Sequence, residues 1–212
     1  MPKKSKDSYH HGDLRQALID AAIVLLRERG INDLSLREVA KRAGVSHTAP
    51  YRHFNDKHAL LCAIAAVGFK RLADAMQQCI AQDPQNPLKQ LQASGLAYVR
   101  LAVQYPDITH LMFGGALGYE NLPADLIEVS DAAFGGLLQI IDNGKQAGLY
   151  QDEDTMSLAL VVWSSVHGLS MLISAGKLQD HVKNQDDVDC MAELVTRFLL
   201  SGIKSDKLGA PE

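Results

Sequence analysis

The sequence predicts an all-α chain of about nine helices, a three-helix N-terminal domain followed by a larger helical domain. Apolar residues recur at spacings of three and four along the whole chain and nowhere alternate as a half-buried strand would. Glycines and prolines fall where those apolar stripes stop. Residues that cap helices, Ser35, Ser46 and Asp56, stand just ahead of them, and the run Asp152-Glu153-Asp154 sets acids at the positive end of a further helix dipole.

Residues 1–11 read as a basic arm carrying Lys3, Lys4 and Lys6, which either tracks phosphates or a minor groove or serves solubility alone. His10 and His11 have no cysteine or carboxylate at ligand spacing, so no metal site is expected there. From Leu14 the apolar positions 14, 18, 21, 22, 25 and 26 trace a first helix that Gly30 ends. Ser35 and Glu38 have the S-x-x-E spacing of a capping box, which starts a second helix at Leu36. Leu36, Val39 and Ala40 share its inner face, Arg37, Lys41 and Arg42 stay outside, and Gly44 supplies the left-handed residue that stops it.

After this short turn Ser46 is placed to cap a third helix, with Tyr51 and Phe54 three apart as packing across the second helix requires. Two helices crossing over a tight glycine turn make a helix-turn-helix, whose second helix enters the DNA major groove. Pro50 would occupy the fourth position of that helix and forfeit its first internal bond, so the helix is expected to start late or bend. Asp56 caps a fourth helix over residues 57–82, roughly 38 Å long at 1.5 Å per residue, with Leu60, Leu61, Ile64, Val67, Leu72, Met76 and Ile80 inward. That is longer than a small domain needs, so it is expected to run into the second domain as a shared lever.

Asp83-Pro84-Gln85-Asn86-Pro87 is the clearest boundary. The expected organisation is a DNA-binding domain over 12–56, the connecting helix 57–82, an effector-binding and dimerisation domain over 83–204, and a tail over 205–212. Five further helices are read as Leu88–Gln104, Pro106–Phe113, Pro123–Ala147, Asp152–Ala175 and Asp186–Leu200. Charge changes sign at the boundary. Residues 1–82 hold 13 Lys and Arg against 8 Asp and Glu, while residues 83–212 hold 8 against 17, so the front half alone suits a polyanion.

The stretch Gly44 to Leu61, G-V-S-H-T-A-P-Y-R-H-F-N-D-K-H-A-L-L, resembles the recognition helix of the TetR family of bacterial one-component transcriptional regulators, and the flanking segments from Leu14 to Leu72 fit it as well. The run Trp163 to Gly168, W-x-x-V-H-G, resembles one C-terminal subgroup. The resemblance implies a cytoplasmic homodimer that binds a double-stranded operator, more often as a repressor, and responds to a small-molecule effector. It implies phosphate contacts by Tyr51 and His53, with Lys57 at the start of the fourth helix. Ser46, His47, Thr48 and Ala49 are the first residues that would meet base edges, Thr48 and Ala49 suiting thymine methyls. Arg37 and Arg52 are further candidates, against a solvated charge as the plain alternative; for Tyr51 the alternative is a ring in the small core.

For an effector pocket the candidates are Met112, Phe113, Leu117, Tyr119, Phe134, Trp163 and His167, large residues beside glycines 114, 115, 118, 135 and 136. These residues would otherwise simply fill the core, and His167, alone on an apolar helix, reads first as a satisfied core histidine. The helix over 155–175 is apolar nearly all round, so it and the last helix are expected to dimerise through Leu158, Val162, Val166, Leu169, Leu172, Val195, Phe198 and Leu199. Its apolar run Leu158 to Ile173 falls short of a bilayer span, and no signal peptide opens the chain. Cys62, Cys79 and Cys190, odd in number and far apart, read as buried thiols in a reducing cytosol. His110, His167 and His181 show no ligand spacing, and no phosphate loop or nucleophile elbow is present, so neither a cofactor nor an enzymatic activity is expected. A DNA-binding module whose second domain only dimerises or docks a protein is the other reading left open.

Overall fold

The computed structural model describes residues 11–118 and 120–204, with side chains from Leu14 onward. Among these residues are eight α-helices and one 3-10 turn. The helices are α1 (His11–Arg29), α2 (Leu36–Arg42), α3 (Lys57–Gln82), α4 (Pro87–Gln104), α5 (Pro106–Phe113), α6 (Ala124–Gln146), α7 (Thr155–Ser174) and α8 (Gln185–Ile203), with the 3-10 turn at Pro50–Arg52. The only extended pairing among the described residues is an isolated bridge between Tyr150 and Lys204.

Local chemistry sets most of these limits. Gly30 and Gly44, at φ +76° and +69°, end α1 and α2 in the left-handed region that lacks a Cβ penalty. Ser35 accepts from the Glu38 N–H at 3.3 Å, but the Glu38 carboxylate takes the Arg29 guanidinium at 3.2 Å, so only half of the predicted capping box forms. Asp56 caps α3 by accepting from the Ala59 N–H at 2.8 Å, and Asp154 caps α7 from the Ser157 N–H at 2.9 Å. The Asp154 carboxyl is held below the usual range by that N–H and the Ser157 hydroxyl. A full capping box at Asn184 and Asp187, absent from the sequence reading, starts α8.

Two apolar cores share α3. The first collects Leu18, Ile19, Ala22, Leu25 and Leu26 of α1, Leu36 and Val39 of α2, Phe54, and Leu60, Leu61 and Ile64 of α3. Ile108 and Leu111 of α5 and Leu126 of α6 complete it, so this core draws on chain well past residue 56. The second collects Leu72 and Met76 of α3 with the inner faces of α4, α6, α7 and α8. Close crossings fall on glycines. Gly68 of α3 lies under Met112 and Ile108 of α5, and a Cβ at Gly136 of α6 would come 2.6 Å from Cβ of Met76. Cys62 and Cys79 are buried as expected and burial pushes both thiols up, whereas Cys190 is exposed, a correction to its expected burial, because it sits on the outer face of the amphipathic α8.

Candidate nucleic-acid interface and apolar cavity

The predicted third helix is reduced to a single 3-10 turn. Pro50 has no N–H to offer the Ser46 carbonyl, so the chain tightens into three-residue steps: Ala49 N–H to Ser46 O at 3.0 Å, Arg52 N–H to Ala49 O at 3.2 Å and His53 N–H to Pro50 O at 2.9 Å. Ser46 accordingly does not cap a helix; its hydroxyl lies 3.2 Å from that of Thr48. Buried Pro50 and Phe54 fix the segment to the first core. Tyr51 does not fill that core, since its ring is 58% exposed.

Arg37, Ser46, His47, Thr48, Tyr51 and Arg52 are all exposed, and Ala49, His53 and Lys57 are half-buried. Arg42 is committed to Glu28 by two bonds of 2.6 and 3.0 Å, whereas Arg37 and Arg52 form no ion pair among the described residues. The Lys57 ammonium donates to the Asn32 carbonyl at 3.1 Å, which holds it beside the α1–α2 loop at the start of α3. His53 keeps Nε2 enclosed without a hydrogen-bond partner among the described residues, an open position on the imidazole. The segment from Ser46 to Lys57 offers hydroxyls, two imidazoles and the Arg52 guanidinium, with Arg37 of α2 beyond it, a chemistry suited to phosphates and base edges.

A cavity of about 420 Å³ lies in the second core, walled by α3, α4, α5, α6 and α7. Of the predicted residues it is lined by Phe113, Phe134 and Trp163. Met112 and Leu117 are not on it: Met112 packs against Gly68, and Leu117 packs on the first core while its carbonyl meets His58 Nε2 at 3.0 Å. Tyr119 lies outside the described residues. The sequence reading missed Phe69, Leu72 and Met76 of α3 and Tyr98 of α4, all of which line the cavity from helices whose stripes read as plain core.

His167 stands behind this wall. Its Nδ1 is 2.8 Å from the Tyr98 hydroxyl, which also accepts from Trp163 Nε1 at 3.3 Å. Burial lowers the His167 pKa, favouring the neutral ring that accepts at Nδ1, and burial pushes the Tyr98 hydroxyl up to about 12. His167 instead lines a shallow outer groove with Leu160, Val161, Trp163 and Ser164.

That groove belongs to an unpartnered face. Leu158, Val162, Val166 and Leu169, predicted to meet a second copy, are buried inside the protomer because they form the inner stripe of α7 facing α4, α6 and α8. On these two helices the exposed large apolar residues are Met156, Leu160, Val161 and Leu172 of α7, the first two also bordering the cavity, and Phe198 of α8, while Val195 and Leu199 are half-buried. The apolar run expected over Leu158 to Ile173 falls short of a bilayer span, but α7 as a whole, at 20 residues, reaches the length and apolarity of one, although its inner stripe is packed in the core.

The family model for bacterial regulatory proteins of the tetR family matches residues 18–64, and the model for the tetracyclin repressor-like C-terminal domain matches residues 91–199. The HTH-type transcriptional regulator AcrR of Shigella flexneri is 33% identical over 91 residues, 43% of this chain and only 41% of that protein. A structure of a protein with unknown function from Rhodococcus sp. RHA1 is 30% identical, with a TM-score of 0.81 over 94% of this chain and 100% of that one. The transcriptional regulator FadR of Bacillus subtilis, in complex with stearoyl-CoA, shares the fold at TM-score 0.72 with 18% identity, over 89% and 98% of the two chains. With both its reading segment and its helical C-terminal domain matched, the chain belongs to the TetR family of bacterial transcriptional regulators.

Proposed function

We propose that the chain is a cytoplasmic homodimeric repressor that binds a near-palindromic duplex operator and leaves it when a small, mainly apolar effector fills the cavity. The observation that carries this reading is the placement of α5 between the two cores. Ile108 and Leu111 pack in the core under the reading segment, while Phe113, at the end of the same eight-residue helix, is a cavity wall. A ligand that shifts Phe113 therefore pushes on a helix seated against α1 and α3, and Met112 over Gly68 leaves little room for that push to dissipate. A hundredfold loss of DNA affinity needs about 2.7 kcal/mol of such coupling, within the usual range.

In this reading Tyr51, His53, Arg52 and Lys57 hold phosphates, Arg37 flanks them, and Ser46, His47, Thr48 and Ala49 face base edges. Trp163 and His167 both meet the Tyr98 hydroxyl at the cavity wall, which supports reading the Trp163–Gly168 run as the mark of a C-terminal subgroup. The chain acts as a regulator and not as an enzyme. The cavity favours effector control over a domain that only dimerises, and the stearoyl-CoA bound to the Bacillus subtilis neighbour indicates that this architecture accepts organic ligands.

The test is a mobility-shift series over salt with operator and random duplexes. Lys57→Ala and Tyr51→Phe should weaken binding to every sequence, Lys57→Ala also lowering the salt slope by about one unit, whereas Thr48→Ala should change base preference at one position in each half-site. No preference over random DNA at physiological salt would refute the proposal.

A further inference from the structure

We propose that the cavity takes an apolar organic cation, a charge-dispersed ammonium or phosphonium centre inside a hydrocarbon shell, held by ring faces within and by the Asp131 carboxylate at the mouth. This rests on reading the cavity as the effector site. Five aromatic rings line it: Phe69, Tyr98, Phe113, Phe134 and Trp163. They form a connected wall, with ring centroids 5.4 Å apart for Phe69 and Phe113, 5.5 Å for Phe113 and Trp163, and 6.0 Å for Phe134 and Trp163. The faces of such rings carry the negative lobe of the quadrupole and attract cations, most strongly where water is excluded.

The polar part of the lining has one sign. Among the described residues Asp131 is its only charged residue, three positions before Phe134 on α6 and thus on the same helix face, and no lysine or arginine lines it. The hydroxyls there are already engaged, Ser94 with the Leu91 carbonyl, Ser130 with the Ile127 carbonyl, and Tyr98 with His167 and Trp163. An anion entering would lose its hydration, meet ring faces and a carboxylate, and find no cationic partner. The phosphates of a ligand such as an acyl-CoA have no counter-charge in this lining. The domain over residues 83–204, with 15 acidic side chains against 7 basic, also draws cations toward the mouth.

Trp163 is the only tryptophan in the chain, so its fluorescence reports occupancy directly. The full-length protein is titrated with tetraphenylphosphonium and tetraphenylborate, ions of one shape and opposite charge, and with the neutral probe N-phenyl-1-naphthylamine. The phosphonium should bind at least tenfold more tightly than the borate. Asp131→Asn should reduce that preference by about threefold to fivefold, the modest share of an exposed carboxylate, and Asp131→Lys should remove most of it. Asp131 is solvent-exposed, so both variants are expected to fold, which circular dichroism checks. Equal or tighter binding of the borate overturns the charge inference while leaving the cavity as a ligand site. A preference unchanged in Asp131→Lys overturns the role of the carboxylate. Failure of all three probes to perturb Trp163 refutes the effector cavity, and the inference with it.

Discussion

At the scale of single residues, the Tyr98 hydroxyl joins the cavity wall to the outer face of α7, because it accepts from Trp163 and meets His167 Nδ1. Burial lowers the His167 pKa in the folded chain from its ordinary 6.5, so below about pH 6.5 the unfolded chain takes up a proton more readily than the folded one. The stability that neutral His167 contributes is thus present above pH 6.5 and is lost as pH falls toward the folded value. Thermal midpoints measured from pH 8 to 5 should fall more steeply for the native chain than for His167→Gln, even though the variant starts lower; parallel curves would show that this ring does not carry the slope. Some residues were readable in advance and others were not. The effect of Pro50 on the reading segment follows from its own missing N–H, a local fact, and it appears as the 3-10 turn. The preference of Glu38 for Arg29 over the cap depends on how α1 crosses α2, which no spacing within either helix reveals.

Helix limits were legible almost throughout, because they depend on caps and glycines that act within a turn of themselves: α3 spans the predicted Lys57–Gln82 and α5 the predicted Pro106–Phe113. Which helix faces meet was harder to read. Phe113, Phe134 and Trp163 stand out as large aromatics beside glycines, but Phe69, Leu72 and Met76 have the same period as any core stripe, and only the crossing of α3 with α5 and α6 opens space beside them. Glycines show the same limit. Gly144 and Gly135 lie on α6, yet a Cβ at Gly144 would run into the buried Tyr150 ring, whose hydroxyl is anchored to the Pro87 carbonyl at 2.9 Å, while a Cβ at Gly135 meets nothing within 4 Å. Alanine improves helix propensity by about 1 kcal/mol at either position. At Gly135 that gain should appear as a higher thermal midpoint. At Gly144 the clash, on the order of 1–3 kcal/mol or more for an overpacked core, should outweigh it and lower the midpoint. Chemical denaturation of both variants measures this, and a stabilised Gly144→Ala would mean that the Tyr150 contact gives way freely.

For the molecule as a whole, the question is what covers the outer face of α7 and α8. Met156, Leu160, Val161 and Leu172 are each between 44% and 50% exposed and Phe198 is 68% exposed, a concentration of large apolar side chains on two neighbouring helices that calls for a partner. A bilayer would leave the opposite stripe of α7 unexplained, since Leu158, Val162, Val166 and Leu169 are packed in the protomer core. A second copy presenting the same face about a two-fold axis, as in the proposed homodimer, would satisfy both stripes at once and would offer two reading segments to half-sites about 34 Å apart. Because Val161 and Phe198 are 50% and 68% exposed and neither lines the cavity, charges placed there should separate the subunits without dissolving the core. Val161→Asp with Phe198→Asp is therefore expected to sediment as a monomer at micromolar concentration while keeping its helical circular dichroism, whereas Val166→Asp should lose the fold. The monomer should keep nearly native affinity for a duplex carrying one half-site but lose about a hundredfold or more on the two-half-site operator, since the second contact is no longer intramolecular. A double variant that still sediments as a dimer would move the interface off this face.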